Sequence, residues 1–276
     1  MKTISYGPWS ATVAEECGGN LISLKYKNTE IMRCPDSLEQ LLQRPCLYGI
    51  PLLLPANRIK DGIFSFEGKQ YEMPINEVGF NNHIHGLVKN ASFRVLFHSK
   101  NTVVTCLENT GSYYPFPFRV EIEDLLDNDG YCRRLTLTNT GASNMPYTLA
   151  YHTTFATPQS FSVPIKEFCE LGEGYIPTGR RRELSSQQRK YRDGMVLEGK
   201  PINGLYTSCG NTVRLGDFEL VVSESFDHWV IFNGNGSEGY LCVEPQRGST
   251  NGLNTGEHAV LAPGCHDIYE IRIRKW

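Results

Sequence analysis

Short runs of alternating apolar and polar residues dominate this chain, and most are bounded by glycine, asparagine or aspartate. Residues 10–33, SATVAEECGGNLISLKYKNTEIMR, predict a meander bending at Gly18-Gly19 and Asn28-Thr29. GIFSFEGKQYEM predicts a hairpin about Glu67-Gly68, and SFRVLFHSKNTVVTCLENT a strand pair turning at Ser99-Lys100-Asn101. FRVEIEDLLDNDGYCRRLTLTNTG predicts another pair, with Asp127-Asn128-Asp129-Gly130 as its turn. DFELVVSES, DHWVIFNGN, GYLCVEP and CHDIYEIRIRK supply further short strands. A period of two with turn residues between runs is the mark of antiparallel sheets closing as a sandwich or barrel.

Helical periodicity is scarce. SLEQLLQ at 37–43 can make two turns, with Ser37 as N-cap and Gln40 in the capping-box position. SSQQRKYRDG at 185–194 fits a short helix or a loop. No repeat, low-complexity tract or linker divides the chain, so residues 1–276 are expected to form a single domain, an all-β, large antiparallel β-sandwich.

Composition narrows the partners. The 276 residues are 40% hydrophobic and 11% aromatic, enough for a large core, and the net charge is only -3. Without a charge block, nucleic acid and membrane surfaces are not expected partners. Arg180-Arg181-Arg182, the densest basic run, reads as a solvated loop. No apolar stretch is long enough to span a bilayer, and the N-terminus lacks the apolar segment of a signal peptide. Nine cysteines, none two residues apart, argue against a zinc knuckle, a redox pair or a disulfide framework. A reduced, cytoplasmic protein is the expectation.

The candidate chemistry concentrates between Asn57 and Gly86, where Asn57-Arg58, a hairpin and His83/His85 suggest a polar cleft at one end of a sheet. Arginine offers a planar fork of donors, and histidine titrates near neutrality. In extended chain His83 and His85 would share one face, but no carboxylate lies close enough in sequence to complete a metal site, so neither a metal nor a cofactor is expected. His152, in YTLAYHTTFA, suits either a core or a catalytic role; His228 reads as structural. Glu244, in GYLCVEPQRG, is the strongest acidic candidate, because a carboxylate at the end of a buried strand is costly unless paired. Pro245 is expected to end that strand.

Five segments in one order resemble the aldose 1-epimerase (galactose mutarotase) family. They are Gly18-Gly19 with Leu21 and Leu24; Asn57-Arg58 with the G-x-F-x-F-x-G-x-x-Y hairpin through Tyr71; Asn82 to Gly86; His152 with Phe155; and Glu244 to Gln246. The resemblance covers nearly the whole chain and implies the galactose mutarotase-like supersandwich fold. It implies that Glu244 is the general base and His152 the general acid of an isomerase that interconverts sugar anomers. It also implies that His85 holds and polarises the sugar, and that Asn57 and Arg58 bind its hydroxyls. Thr153-Thr154 stand where the family often has Pro-Tyr, and Asn203 stands where it carries a sugar-contacting aspartate.

Ordinary titration, near ~4.3 for Glu and ~6.5 for His, would leave the base ionised and part of the acid charged at neutral pH. Phe155 or Trp229 would cover the apolar face of the sugar, and the loops at 37–50, 158–185 and 247–257 would set specificity. Two other readings share the fold: a hexose-phosphate mutarotase using Arg180 to Arg182 or Arg247, and a carbohydrate-binding protein without catalysis. A third class is a cupin-like metal enzyme built on His83 and His85. Oligomeric state has no signature in the sequence.

Overall fold

The alternating runs become strands of two large antiparallel sheets in the computed structural model, which describes residues 1–276. One sheet has eight strands. Its long central pair, Phe118–Asp127 and Gly130–Asn139, is joined by the expected turn, and Asp127 caps that turn by accepting from the Asp129 amide at 2.8 Å. His266–Lys275 continues the sheet on the far side of Gly130–Asn139. The second sheet runs in the order Pro177–Glu183, Ile165–Leu171, Asn203–Ser208, His228–Phe232, Tyr240–Arg247, Leu149–Tyr151 and Leu52–Leu53; Thr154–Ala156 also pairs with Tyr240–Arg247.

The pleat decides what each sheet buries. Val120, Ile122, Leu135 and Leu137 of the first sheet and Trp229, Ile231, Leu241 and Val243 of the second join one cluster of 55 buried apolar residues. The alternate residues of the second sheet, Leu205, Val230 and Glu244 among them, face outward into the cleft described below. A buried ion pair crosses the first sheet: Arg133 lies opposite Asp124 and binds it at 2.7 Å, and its remaining donors go to the Ile50 and Gly19 carbonyls.

Both helical segments form. Ser37 caps Leu38–Gln43 by accepting from the Gln40 amide, although the Gln40 side chain reaches the Asp36 amide, one residue earlier than a closed capping box requires. Ser185 and Gln188 make the full box for Ser186–Asp193, which settles that segment as helix. Residues 158–185 are not a loop but carry the strands Phe161–Ser162, Ile165–Leu171 and Pro177–Glu183. Arg180 to Arg182 therefore lie on the exposed outermost strand, where cations discourage edge-to-edge pairing. No disulfide forms among the nine cysteines, and no helix is long and apolar enough to cross a membrane.

Candidate active site

Glu244 does not sit at the end of its strand. Tyr240–Arg247 continues through Pro245, which lies opposite Trp229. The explanation lies in the other neighbour. Leu149–Tyr151 pairs Ala150 with Gln246, and Thr154–Ala156 pairs Thr154 with Cys242. The strand is interrupted between them, so the missing N–H of proline costs little there. Carried across the interruption, the same register sets His152 opposite Glu244. Their Nε2 and Oε1 atoms are 3.4 Å apart, with only 6% and 3% of the side chains exposed. Thr154 supports the ring from behind: its Oγ1 donates to the His152 carbonyl at 3.1 Å and lies 3.5 Å from His152 Nδ1.

The short ladder between Arg58–Lys60 and Asn82–Ile84 brings in the second group of residues. The His85 amide donates to the Asn57 carbonyl at 2.8 Å, and both residues adopt left-handed backbone, φ +54° at Asn57 and +64° at His85. Such conformations are uncommon outside glycine and cluster at functional sites. Here they break the alternation, so His83 and His85 do not share a face. His83 is fully buried with Nδ1 bonded to the Pro74 carbonyl, whereas His85 reaches the cleft and packs edge-on against His152, 5.2 Å between ring centres. Gly86 must be glycine, because a Cβ there would run into the Leu54 carbonyl.

These elements enclose a cleft of about 560 Å³, counted out to its open mouth. Asn57, Arg58, His85, His152, Asn203 and Glu244 all line it, so every candidate site residue read from the sequence is brought to one place. Phe155 and Trp229 are not there; both belong to the core between the sheets. The aromatic rings lining the cleft are Tyr175 and Phe232, whose neighbours Leu205 and Val230 make an apolar floor.

Sequence reasoning missed two further residues. Glu77 grips Arg58, accepting from Nε at 2.8 Å and Nη2 at 2.7 Å, and Tyr175 lies over the guanidinium at 4.8 Å. Neither has a local signature, although an acid eight residues before His85 is the partner that a half-buried arginine fork needs.

Burial sets the electrostatics. It pushes the Glu244 carboxyl up to about 8, despite the opposing pull of Arg58, and pulls the His152 imidazole down to about 4. The expectation of ordinary titration therefore fails, since desolvation penalises each charged form separately. Between those values the pair holds one exchangeable proton, either on the carboxyl or passed across to the ring. Part of the His85 ring faces the cleft, yet its surroundings, and then the His152 ring, pull it well below its usual value. Burial opposes the charge on Glu77, but hydrogen bonds from Arg58 and Asn82 hold its carboxyl below the ordinary range.

His152, Cys242 and Glu244 place potential metal-ligand atoms within 4.8 Å of one another. Burial holds the Cys242 thiol well above its usual value, so a cation would have to displace protons from both the thiol and the carboxyl. Arg180 to Arg182 and Arg247 stay outside the cleft: Arg181 pairs with Glu257, Arg182 with Glu170 and Arg247 with Asp227.

The class that fold and site define is an antiparallel β-sandwich with a buried His–carboxyl pair in a polar cleft. The chain belongs to the aldose 1-epimerase family, whose sequence model matches residues 9–266. It is similar to two uncharacterized Escherichia coli K12 proteins. YihR is 24% identical over 94% of this chain and 87% of its own length, and YphB is 24% identical over 99% and 98%. Among solved structures, a galactose mutarotase-like protein from Clostridium acetobutylicum superposes with a TM-score of 0.91 at 24% identity, covering 99% of this chain and 95% of that one. The GalM/aldose epimerase homologue from C. elegans gives 0.84 at 19% identity, covering 99% and 98%. The fold is thus the galactose mutarotase-like sandwich.

Proposed function

We propose that this chain, as a single aldose 1-epimerase-like domain, interconverts the α and β anomers of a free hexose. The observation that carries the reading is the 3.4 Å approach of His152 Nε2 to Glu244 Oε1 in a polar cleft. Mutarotation moves one proton off the anomeric hydroxyl and another onto the ring oxygen. Both oxygens hang from the same carbon, so donor and acceptor must stand side by side.

In the reactive arrangement the shared proton lies on His152. Glu244, as carboxylate, removes the proton from the anomeric hydroxyl while His152, as imidazolium, protonates the ring oxygen. The bond between the anomeric carbon and the ring oxygen opens, and the resulting aldehyde turns. Ring closure on the other face reverses both transfers. The net proton count never changes, so the pair suits the task at any pH where it holds one proton. Each positioned group contributes roughly 10²–10⁴-fold, enough for a reaction that already proceeds slowly in water. His85 and the Asn57-Arg58 pair hold hydroxyls, Asn203 contributes from the rim, and Tyr175 and Phe232 meet the apolar face of the ring.

A free sugar is favoured over a sugar phosphate because Arg58, the cation lining the cleft, is already matched by Glu77. A cytoplasmic site of action is part of the proposal, supported by nine unpaired thiols. Polarimetry on freshly dissolved α-D-glucose and α-D-galactose tests the whole. Wild type should accelerate the approach to equilibrium, with Glu244→Gln and His152→Asn losing at least about 10²-fold each. Folded wild type that leaves the buffer rate unchanged for both sugars would overturn the reading.

A further inference from the structure

The His85 ring is aimed by its backbone. It packs against His152, but no hydrogen bond from the protein holds it, and its Nδ1 is buried without a partner. What points the ring into the cleft is the His85-Gly86 turn, where two consecutive residues are left-handed, φ +64° and +57°. The bond from the His85 amide to the Asn57 carbonyl pins that turn on one side. On the other side both of its carbonyls accept from a single side chain. Lys89 Nζ reaches the His85 oxygen at 3.3 Å and also binds the Gly86 oxygen.

Lys89 is an unusual residue to find there. It is buried, pairs with no carboxylate, and offers three donors to two carbonyls. A buried cation without a counter-charge is costly. The fold nevertheless makes room for it. Lys89 lies in the short turn Val88–Asn90, and Gly18 comes so close that a Cβ there would run into the Lys89 backbone. The Gly18-Gly19 bend, outside the cleft, thus helps to seat Lys89. The titratable groups facing the ammonium are the rings of His83, His85 and His152, and the Cys46 thiol on the adjoining turn Pro45–Leu47, which burial pushes up to about 12. The neighbouring strand Leu52–Leu53 brings only apolar side chains. Burial does most to keep His85 and His152 neutral, and the Lys89 charge adds to it at both rings.

We propose that Lys89 is a positioning residue of this site: its ammonium clamps the His85-Gly86 turn from behind and so fixes the ring that holds the sugar beside His152. The inference rests on the epimerase reading. Without the clamp the turn relaxes, and His85 no longer presents its free edge to a sugar hydroxyl. The same charge discourages a second proton on the His152–Glu244 pair. It also makes the imidazolium formed in the reaction a readier donor to the ring oxygen.

The test uses Lys89→Met, which keeps the stem and removes the ammonium, with Lys89→Gln as a second variant that keeps a donor without the charge. Polarimetry on α-D-glucose should show KM raised about five- to tenfold in Lys89→Met, the effect of one hydrogen bond to the sugar. In a His85→Ala background Lys89→Met should raise KM no further, because it acts through His85. The acid limb of the kcat/KM profile should move to higher pH in both variants. Nitrogen NMR of the imidazoles, assigned with His85→Ala and His152→Asn, should show the His152 midpoint rising and the His85 signals shifting. An equal KM loss with and without His85, or imidazoles unchanged in a folded variant, would overturn the proposal. Failure of both variants to fold would also reject it, as the mark of a purely structural lysine. If wild type accelerates neither glucose nor galactose, the epimerase reading fails by itself. The imidazole signals then decide whether Lys89 governs the two rings: a change upholds the clamp, and no change rejects it.

Discussion

Glu77 neutralises the arginine that faces Glu244. Its carboxylate takes two hydrogen bonds from Arg58, at 2.8 and 2.7 Å, while Arg58 is the charge that favours the ionised form of Glu244. Replacing Glu77 with Gln should loosen the guanidinium and expose its charge. KM for a free hexose should rise several-fold. The alkaline limb of the pH–rate profile should also move to lower pH, because an uncompensated cation stabilises the Glu244 carboxylate. A KM change with an unmoved limb would mean that Glu77 only positions Arg58.

The pH dependence of the reaction itself should be broad. Below about 4 His152 takes a second proton onto the pair and no base remains; above about 8 Glu244 loses the shared proton and no acid remains. The kcat/KM profile, which reports the free protein, should therefore be a plateau between those limbs. Limbs near 4.3 and 6.5 would show that burial has not shifted the pair.

Stability should carry the same signature. Glu244 has a raised value in the folded chain, so its contribution is full below its unfolded value of about 4.5 and is lost as pH rises through 8. His152 has a depressed value, so its contribution is full above about 6.5 and is lost as pH falls through 4. Between about 4.5 and 6.5 the two slopes cancel. From about 6.5 to 8 only the Glu244 loss remains, roughly 2 kcal/mol at ~1.4 kcal/mol per unit. Denaturant unfolding of wild type should show that fall, whereas Glu244→Gln should be flat there and lose stability below about 6.5 instead.

Much of this was legible in the sequence, for particular reasons. The hairpins at Ile63–Glu72 and Phe118–Asn139 announce themselves through period-two burial and Gly or Asp turns. Ile165–Leu171 and Pro177–Glu183 do not, because Lys166-Glu167 and the arginine run break the alternation on strands near the sheet edge. The residue types of the site were readable, but their protonation was not. Desolvation of Glu244 and His152 comes from atoms distant in sequence, and so does the left-handed turn that separates His85 from His83. Glu77 and Tyr175 reach Arg58 only once the chain has folded.

The core holds one charged pair whose removal should be costly. Arg133 and Asp124 are fully buried, and Arg133 also satisfies the carbonyls of Gly19 and Ile50. Arg133→Leu would leave Asp124 buried without its partner, and a loss of about 3–5 kcal/mol is expected. A loss below about 1 kcal/mol in urea unfolding would show that the site repacks freely.

In the proposed mechanism, the two-residue break that brings His152 to face Glu244 separates chemistry from recognition. The gap between donor and acceptor is set by the spacing of neighbouring strands, a dimension that hydrogen bonding holds nearly constant. The residues proposed to read the rest of the sugar sit on turns and rims around it: Asn57 and His85 at a strand end, Tyr175 in a short turn, Asn203 at the mouth. Those positions can be exchanged without altering the separation on which proton transfer depends. A lineage built on this frame can try new sugars while the reaction itself stays in register.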